Sequence, residues 1–359
     1  MGKSFKLFLF RQLSAVSGQI AHALRVLRVA GPGQVRFWFL ALAIGVASGF
    51  AALGFRLGIG KLQALLYGVD DPRHLHSYAQ TLEWFWILAI PTMGGLLVGL
   101  VLNWFTNDGK VRSVADVIEG AALKEGRVEI RAGFGSALAS FITLGAGGSS
   151  GREGPVVHLA SVISAWVSAR LKADGLTARE LMGCAVAAAV SASFNAPIAG
   201  AIFALEVVLR HYAVRAFAPI AIASIAGTVI SRLEFGNMTE FHLVADGAVT
   251  FYVELPAFLL LGLVSGLVAV IFMKAIFLSE DIGDWLSGAI RLPPVLRPAL
   301  AGLLLGLIAI WYPHIIGVGY ETTSAALTGE LVLAQAMVFA VVKAVAVAIT
   351  MAGRMGGGI

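Results

Sequence analysis

Apolar runs long enough to cross a bilayer dominate this sequence and restrict what the chain can fold into. Hydrophobic residues make up 58% of the 359 residues and charged residues only 13%, whereas soluble domains carry about 25% charged residues. A globular protein of this size could not cover its apolar surface with so few charges. The sequence therefore predicts an all-α polytopic membrane protein, with apolar runs at residues 37–58, 84–105, 133–146, 155–171, 181–194, 197–209, 214–231, 255–278, 296–311 and 331–351.

Several of these runs are too short to span the ~30 Å apolar core of a bilayer, and glycine or proline residues interrupt them. Helices that stop inside the membrane are tolerated only where their ends face protein or a water-filled site. Short, broken helices are therefore the best pointer in a sequence to a transport site. Glycine pairs such as Gly95/Gly99 and Gly302/Gly306 also predict close packing of the helices in a bundle.

The N-terminal segment is strongly basic, because the first 36 residues hold six Lys or Arg side chains and no acidic one. The positive-inside rule places such a segment in the cytoplasm, against anionic lipid. We predict a cytoplasmic amphipathic helix over residues 1–33 that lies along the membrane surface, followed by a transmembrane domain over 34–359. A nucleic-acid partner is not expected, because the basic residues belong to no polar domain. The apolar face of the helix consists of Phe5, Leu9, Leu13, Val16 and Ile20.

Two glycine-rich stretches 207 residues apart resemble each other. Residues 141–151 read FITLGAGGSSG and residues 348–358 read AITMAGRMGGG, so an apolar helix runs through Ile-Thr into a glycine-rich turn in both. Weak similarity between two halves is typical of transporter folds built from repeats, with chance similarity as the alternative. A second turn of this kind would precede a further helix, so we expect the 359 residues to be part of a longer chain whose second half is incomplete here.

The stretch 147–155, GGSSGREGP, combines a glycine-rich turn with a helix start. Pro155 suits the first helical position, where its missing N–H costs nothing. The free N–H groups and the positive end of the helix dipole make such a start an anion site. A carboxylate at Glu153 can occupy the place of the anion when ionised and leave it when protonated. The alternative is that Glu153 only satisfies the helix start as a first-turn acid, although an ionisable group inside a membrane segment favours function.

Two further segments could contribute to the same site, and residue chemistry leaves both open. Asn195 can cap a helix and Pro197 can begin one, but a simple helix–turn–helix explains them at least as well. Ser113 precedes the run VADVIEG at 114–120. Its hydroxyl could donate to an anion, although the residues alone favour a helix cap.

Together, these segments resemble the CLC family of chloride channels and chloride–proton antiporters. The sequence G-R-E-G-P at 151–155 matches the gate motif of the family without change, and F-N-A-P-x-A-G at 194–200 matches the helix start that follows. Residues 313–320 and 343–359 are similar to the second half of the family. The resemblance covers the chain from about residue 37 to the last residue.

This resemblance implies an antiparallel, inverted-repeat helical bundle with broken helices, assembled as a homodimer in the plasma membrane (the bacterial inner membrane). It implies that Glu153 is the gating glutamate and that the amides of Arg152 and Gly154 line the outer anion site. Ser113 would reach the central anion through its hydroxyl, and the backbone N–H of Ile359 would help from the opposite half. The transported ion would be chloride, together with protons in an antiporter, and no cofactor is expected.

Two positions depart from the family pattern. Where the first motif of the family reads G-S-G-x-P, residues 112–116 read RSVAD, so only Ser113 is retained. The antiporters carry a cytoplasm-facing proton glutamate just after the acid that matches Glu206, and here Val207 stands in that position. An apolar residue there is typical of channels. We therefore predict a chloride channel gated by Glu153, with a chloride/proton antiporter as the alternative.

Other functions fit the sequence less well. Residues 148–151, GSSG, fit the G-x-S-G pattern of intramembrane serine proteases, with Ser150 as the nucleophile. Such a site needs a histidine within hydrogen-bond reach, and no histidine lies mid-helix beside a G-x-x-x-G partner. The chain is therefore not predicted to be an enzyme. Transport of a different small anion, such as nitrate or fluoride, remains open from the residue types.

Overall fold

The computed structural model describes residues 2–69, 71, 74–211, 214–236 and 251–358, with the side chains of residues 2–32, 214, 215 and 251 outside the description. Within this part of the chain the regular elements are all helices. Short 3-10 turns lie at Pro294–Leu296 and Pro313–Ile315, and a π-helical turn at Ala204–Leu209. The α-helices are α1 (Gly2–Tyr67), α2 (Leu75–Ala79), α3 (Trp84–Phe105), α4 (Val114–Leu123), α5 (Ile130–Gly145), α6 (Glu153–Leu171), α7 (Gly175–Phe194), α8 (Pro197–Phe203), α9 (Val214–Phe235), α10 (Phe251–Ala289), α11 (Arg297–Trp311), α12 (Tyr320–Leu327) and α13 (Leu333–Ala352).

Spanning helices alternate with shorter ones, as the apolar runs predict. Each predicted run has a helix over it, and the bounds of α3 coincide with the run at 84–105. The short helices α2, α4 and α12 were not predicted as apolar runs, because they have only 5 to 10 residues each. In the described part of the chain, six helices are long and apolar enough to cross a membrane: Gly33–Tyr67, Trp84–Phe105, Ala216–Phe235, Tyr252–Ala289, Pro294–Trp311 and Leu333–Ala352.

Helices α7 and α10 differ in side-chain size and in burial. Helix α7 lies in the interior of the bundle and α10 at its surface. Residues 184–189 of α7 are small and fully buried, and α7 packs against α1, α6, α8 and α9. Small side chains let helix backbones approach closely in a membrane. The most apolar segment of α10 is instead exposed along its whole length, which suits a helix whose large side chains face lipid.

The contact between α3 and α11 relates two halves of the chain. A Cβ atom at Gly95 would lie 2.2 Å from the carbonyl oxygen of Pro298, and one at Gly302 would lie 2.0 Å from that of Pro91. Positions 95 and 302 are 207 residues apart, and so are positions 91 and 298. The contact of Gly95 with Pro298 and the contact of Gly302 with Pro91 therefore join equivalent positions. The next pairs along the contact are Gly99 with Val295 and Gly306 with Leu88. The residue numbers rise on α3 while they fall on α11, so the equivalent helices run antiparallel.

The two glycine-rich stretches that resemble each other in sequence form the same turn. The N–H of Gly148 donates to the carbonyl of Thr143 at 2.7 Å, and the N–H of Met355 donates to the carbonyl of Thr350 at 3.1 Å. The two donors are 207 residues apart in the sequence, and so are the two acceptors. The internal similarity therefore reflects a structural repeat rather than chance.

The repeat extends to backbone conformation and to contacts between the two turns. The residue in the left-handed region is Gly147 in the first turn, at φ 87°, and Arg354 in the second, at φ 56°. The equivalent residues Gly151 and Gly358 exchange two backbone hydrogen bonds, of 2.7 and 2.8 Å. A two-fold rotation that relates the two halves of the repeat interchanges these two hydrogen bonds and reverses the direction of equivalent helices. The fold is thus an antiparallel, inverted-repeat helical bundle with broken helices, as the sequence predicts.

The predicted boundary between an N-terminal helix over 1–33 and a transmembrane domain over 34–359 does not interrupt α1. This helix runs from Gly2 to Tyr67 without a break. Because the side chains of its first part lie outside the description, its amphipathic face and its place on the membrane surface stay predictions.

Candidate functional site

The start of α6 presents free backbone donors. The helix begins at Glu153, two residues before the position that the sequence suggested, so Pro155 is its third residue. The N–H groups of Glu153 and Gly154 have no intrahelical acceptor and none among the other described residues. Pro155 adds no further donor. These two N–H groups, together with the positive end of the helix dipole, can hold an anion or a carboxylate.

The Glu153 side chain lies at this helix start and accepts no hydrogen bond from the N–H groups of the described residues. Its charged contact in the described part of the chain is Arg152, whose Nε atom lies 3.6 Å from Oε1. The carboxylate also folds over Gly151, where a Cβ atom would lie only 2.9 Å from Oε2. The Glu153 side chain is 27% exposed. The carboxylate therefore has both a binding place beside it and room to leave.

Arg152 is held in place by an aromatic ring and by burial. Its guanidinium lies over the Tyr320 ring, 4.9 Å from the ring centroid, and the residue is 8% exposed. Arg152 lines a small cavity together with Arg56 of α1, Ser193 of α7 and Ser231 of α9. Two guanidinium groups therefore line a cavity at the helix start, and their positive charge favours an anion.

Three segments meet at Gly154. A Cβ atom at this position would lie 3.0 Å from the Cα atom of Gly358 and 3.8 Å from Cγ2 of Val114. Val114 follows Ser113, and Gly358 precedes Ile359. The structure thus brings the start of α4 and the second glycine-rich turn to the start of α6. Ile359 itself lies outside the described residues, so the predicted role of its N–H stays a prediction.

Ser113 is the N-cap of α4. Its Oγ accepts a hydrogen bond from the N–H of Ala115 at 3.3 Å, and the Asp116 carboxylate accepts one from the N–H of Ser113 at 2.7 Å. This reciprocal arrangement is a capping box. A hydroxyl has one proton besides its two acceptor positions. Among the described residues, that proton has a single long contact of 3.5 Å, to Asp116. Ser113 can therefore cap α4 and still donate to an anion.

A cluster of charges surrounds the loop before α4. Arg112 lies 2.9 Å from the Asp108 carboxylate, 3.6 Å from that of Glu129 and 4.0 Å from that of Asp116. Partial burial would raise the pKa of Asp108, but the N–H of Lys110 and the Arg112 guanidinium stabilise the carboxylate and hold its pKa below the usual value. The three carboxylates restrain Arg112 in the loop before α4.

The sequence model of the family described as voltage gated chloride channel matches residues 94–359, which is about three quarters of the chain. This range includes Ser113, Glu153 and both glycine-rich turns.

The chain belongs to the voltage gated chloride channel family.

Individual CLC relatives agree with this assignment. A ClcB-like protein of Ralstonia nicotianae is 30% identical over 290 residues, covering 78% of this chain and 65% of the relative. The chloride channel protein CLC-f of Arabidopsis thaliana is 27% identical over 355 residues, covering 93% of this chain and 44% of the relative. The chain thus spans about two thirds or less of the length of these relatives.

Solved structures share the fold. A slow cyanobacterial Cl⁻/H⁺ antiporter has a TM-score of 0.76 at 20% identity, covering 90% of this chain and 75% of the other. A CLC-type fluoride/proton antiporter has a TM-score of 0.72 at 21% identity, covering 90% and 77%. At these identities the likeness concerns the fold alone.

The two departures of this CLC chain from the family pattern have clear positions in the structure. At 112–116, Asp116 fixes the N–H of Ser113, so a side chain organises the backbone there in place of the glycines and proline of the family motif. Val207 lies half-buried in the π-helical turn after α8. An aliphatic side chain at this point cannot carry a proton.

The segment at 194–200 begins a helix as predicted, but with different capping. Pro197 is the first residue of α8, and Ala196 is its N-cap. Asn195 instead ends α7 in the left-handed conformation, at φ 54°, and its Oδ1 accepts a hydrogen bond from Nε of Arg232 at 2.6 Å. This asparagine fixes the turn between α7 and α8 rather than the start of α8.

The serine that could act as a protease nucleophile is used otherwise. Ser150 is buried, and its hydroxyl donates to the carbonyl of Gly356 at 3.3 Å. Among the described residues no histidine hydrogen-bonds to it. Ser150 therefore ties the two glycine-rich turns together. The described residues also contain no cluster of metal-ligating side chains.

Sequence reasoning missed two contributors to the site, Asp116 and Tyr320. The capping box was visible as the spacing S-x-x-D at 113–116, which identifies Asp116 as the partner of Ser113. Nothing in the sequence places Tyr320 beside Arg152. Lys343 of α13 donates to the carbonyls of Ile315 and Gly317, at 2.9 and 2.6 Å, and so fixes the loop that leads to α12. Long-range backbone contacts of this kind leave no local signal.

Proposed function

We propose that this CLC chain carries chloride across a membrane along a pathway that passes the start of α6 and is gated by Glu153. The observation that carries the proposal is the position of the Glu153 carboxylate. It lies at a helix start with two N–H groups that have no acceptor in the described part of the chain, and it does not cap them there. Family membership supports chloride as the transported ion.

The proposed gate works by competition between two anions for one place. An ionised carboxylate or a chloride ion gains about 0.3–1 kcal/mol from the positive end of a helix dipole, and up to ~2 kcal/mol in partly buried geometry. Protonation removes the charge of Glu153, so the carboxyl group no longer competes with chloride. Flux through the pathway should therefore rise as the external pH falls.

The remaining ligands of the proposed pathway come from three segments. The amides of Arg152 and Gly154 would line the outer site, and the Ser113 hydroxyl would donate to a deeper one. The N–H of Ile359 would complete the site from the opposite half of the repeat. The meeting of Gly154 with Val114 and Gly358 supports this arrangement.

Between the two modes of transport, we propose a channel. The support is Val207, which cannot serve as an inner proton carrier. The second candidate is a chloride/proton antiporter, because the solved structures with this fold include a Cl⁻/H⁺ and a fluoride/proton antiporter.

We further propose that the protein is a homodimer in the plasma membrane, the bacterial inner membrane in a bacterium, with a cytoplasmic N-terminus. The family resemblance supports the dimer. The six basic residues among the first 36, without an acidic one, support the orientation.

A single flux experiment tests both the function and the mode. The full-length protein is reconstituted in liposomes with an outward chloride gradient, and the membrane potential is clamped with valinomycin and potassium. Chloride efflux and external pH are recorded together, and nitrate and fluoride replace chloride in parallel runs. Chloride efflux without uphill proton movement is the result expected of a channel. Efflux that drives protons uphill identifies an antiporter, and no efflux of any of the three anions contradicts the proposed function.

A further inference from the structure

Lys343 is an ionisable residue in the middle of a membrane-spanning helix, and the proposed gate does not use it. Helix α13 is otherwise free of ionisable side chains. Ionisable side chains inside membrane segments are costly and usually functional. Among the described residues, the Nζ atom of Lys343 has two backbone carbonyls as partners and no carboxylate within 4 Å. The ammonium group therefore binds backbone and forms no ion pair there.

Both carbonyls lie at the start of the loop that leads to α12. Nζ donates to the carbonyl of Ile315 at 2.9 Å and to that of Gly317 at 2.6 Å. A Cβ atom at Gly319 would lie 3.5 Å from Cε of Lys343, so the lysine side chain also lies beside the last residue of the loop. Hydrogen bonds from a charged donor are stronger than those between neutral groups. Lys343 therefore restrains the loop at 315–319 along most of its length.

Gly317 connects this loop to the first glycine-rich turn. Its N–H donates to the carbonyl of Gly147 at 3.2 Å, and Gly147 precedes Glu153 by six residues. The carbonyl of Gly317 accepts from Lys343 and its N–H donates to Gly147, and hydrogen bonds in such a row polarise one another. A helix of the second half of the repeat thus holds a loop that binds the turn before the gate.

The loop ends at the residue that covers Arg152. Gly319 is the N-cap of α12 and Tyr320 is its first residue. The guanidinium of Arg152 lies 4.9 Å from the centroid of the Tyr320 ring, and its Nε atom lies 3.6 Å from the Glu153 carboxylate. A displacement of the loop moves the ring and changes how closely the guanidinium approaches Glu153.

Other charges lie around both groups. The helices packed against α6 carry the ionisable side chains of Asp116 and Glu119 on α4, Arg36, Arg56, Lys61 and Tyr67 on α1, Arg131 on α5, and Arg179, Glu180 and Cys184 on α7. The elements packed against α13 carry those of Tyr252, Glu254, Lys274, Glu280, Asp281 and Asp284 on α10, Arg297 on α11 and His314 in the turn before the loop. In the described part of the chain none of them pairs with Lys343, so its positive charge acts on Glu153 in addition to any effect through the loop.

We propose that Lys343 is a positioning residue of the gate, which holds the loop at 315–319 so that Tyr320 stays on Arg152. This inference rests on the proposed function and links the second half of the repeat to the gate in the first half. Without the lysine, the ring no longer competes with Glu153 for the guanidinium. Arg152 then stabilises the ionised carboxylate, and the gate opens only at a lower external pH.

The external pH dependence of chloride efflux tests this role, in liposomes that hold the full-length protein in one orientation. Lys343→Met keeps an unbranched side chain and removes its donors, and it should lower the external pH of half-maximal efflux by about 0.5 unit. Loss of a positive charge alone has the opposite sign, because it disfavours ionised Glu153 and raises this midpoint. In a Tyr320→Leu background, Lys343→Met should shift the midpoint by less than about 0.2 unit, because the ring through which it acts is absent.

Gly319→Ala tests the same loop without a change of charge. Gly319 has a left-handed backbone, at φ 98°, which disfavours alanine, so this variant should also lower the midpoint. It decides the question if Lys343→Met does not assemble. The matched control is Lys274→Met, the same substitution at an exposed side chain of α10, which packs against α13. This control should keep the wild-type midpoint.

Several outcomes overturn the positioning role while leaving chloride transport intact. They are a midpoint that is unchanged or rises in Lys343→Met, and a fall that is equally large in the Tyr320→Leu background. An unchanged midpoint in Gly319→Ala, or a fall in Lys274→Met equal to that in Lys343→Met, has the same meaning. Absence of chloride efflux from the wild-type protein at every external pH contradicts the proposed function instead, and this inference with it.

Discussion

Two acids stand in the first turns of two neighbouring helices, and the structure holds them differently. Asp116, the third residue of α4, accepts the N–H of Ser113 at 2.7 Å and completes a capping box. Glu153, the first residue of α6, has Arg152 at 3.6 Å and no backbone donor among the described residues. The sequence analysis left open whether Glu153 only satisfies the helix start. The comparison shows that Asp116 fills the capping role, which leaves Glu153 as the acid that can move.

A third first-turn acid strengthens this contrast. Glu321 of α12 accepts hydrogen bonds from the N–H groups of His76 and Ser77 at the start of α2, at 3.0 and 3.3 Å, and from the Ser77 hydroxyl. Its carboxylate also lies 2.9 Å from Nδ1 of His76. Acids that organise this fold are thus bound by several donors, whereas Glu153 has no such donor in the part of the chain that the structure describes.

The largest effect should come from filling the space between the two helix starts. Gly154→Val places a side chain against Gly358 and Val114, at a point where overpacking costs about 1–3 kcal/mol. We expect chloride flux in liposomes to fall by about tenfold or more. Gly54→Val is the control, because a Cβ atom at Gly54 of α1 has nothing within 4 Å. Equal losses in the two variants would show that the junction at Gly154 has no special role.

The two acids should differ next in their effect on stability. Asp116→Ala removes the capping box and should lower the free energy of unfolding by about 1–2 kcal/mol. Glu153→Ala removes only a charge near the helix dipole and should cost less than about 1 kcal/mol. Thermal unfolding in detergent, followed by circular dichroism, compares the variants. The contrast between the acids fails if Glu153→Ala lowers the midpoint as much as Asp116→Ala.

A smaller effect is expected from the ring that holds Arg152. Loss of the Tyr320 ring removes a contact that competes with Glu153 for the Arg152 guanidinium, which already lies 3.6 Å from the carboxylate. A closer approach would stabilise the ionised form of Glu153. The cation–π contact is worth about 0.5–1 kcal/mol, so Tyr320→Leu should shift the external pH of half-maximal flux downward by about 0.3–0.7 unit. Tyr320→Phe keeps the ring and should keep the midpoint. An unchanged midpoint in Tyr320→Leu would exclude Arg152 from setting the gate.

The smallest effect should come from His76, the histidine in contact with Glu321. Burial lowers the pKa of His76, although the Glu321 carboxylate opposes this shift. The fold therefore prefers the neutral imidazole, and its contribution to stability is complete above pH ~6.5 and is lost as the pH falls below that value. Between pH 7 and pH 5, we expect the free energy of unfolding to fall further in the wild-type protein than in His76→Gln, by less than about 1 kcal/mol. Thermal unfolding of the wild-type protein and of His76→Gln at the two pH values checks this. If the midpoints of the two proteins fall equally, the prediction is wrong.

Much of the fold was predictable because membrane helices are specified by local composition. The run at 84–105 gave the bounds of α3, and the 207-residue offset of the glycine-rich stretches identified the repeat. The start of α6 was placed two residues late, because Pro155 suits any of the first helical positions and not only the first. The short helices α2, α4 and α12 bury too little apolar surface to leave a run.

The site was predictable as a motif but not as a set of contacts. The sequence marked Glu153 and Ser113 as candidates and left the capping alternative open for both. Only the distances show that Asp116 completes the capping box of α4, whereas Glu153 accepts no hydrogen bond from any described backbone N–H. The same holds for Tyr320, which lies 168 positions from Arg152 in the sequence and reaches it through the packing of the two halves.

The most direct test of the gate is the external pH dependence of chloride efflux from liposomes that hold the protein in one orientation, with the internal pH fixed at 7.5. In the wild-type protein, efflux should rise by about tenfold between external pH 7.5 and 4.5, which corresponds to about 1.4 kcal/mol. Glu153→Gln, which cannot ionise, should give high efflux that is nearly independent of external pH. A Glu153→Gln variant that keeps the wild-type response to external pH would show that another group operates the gate.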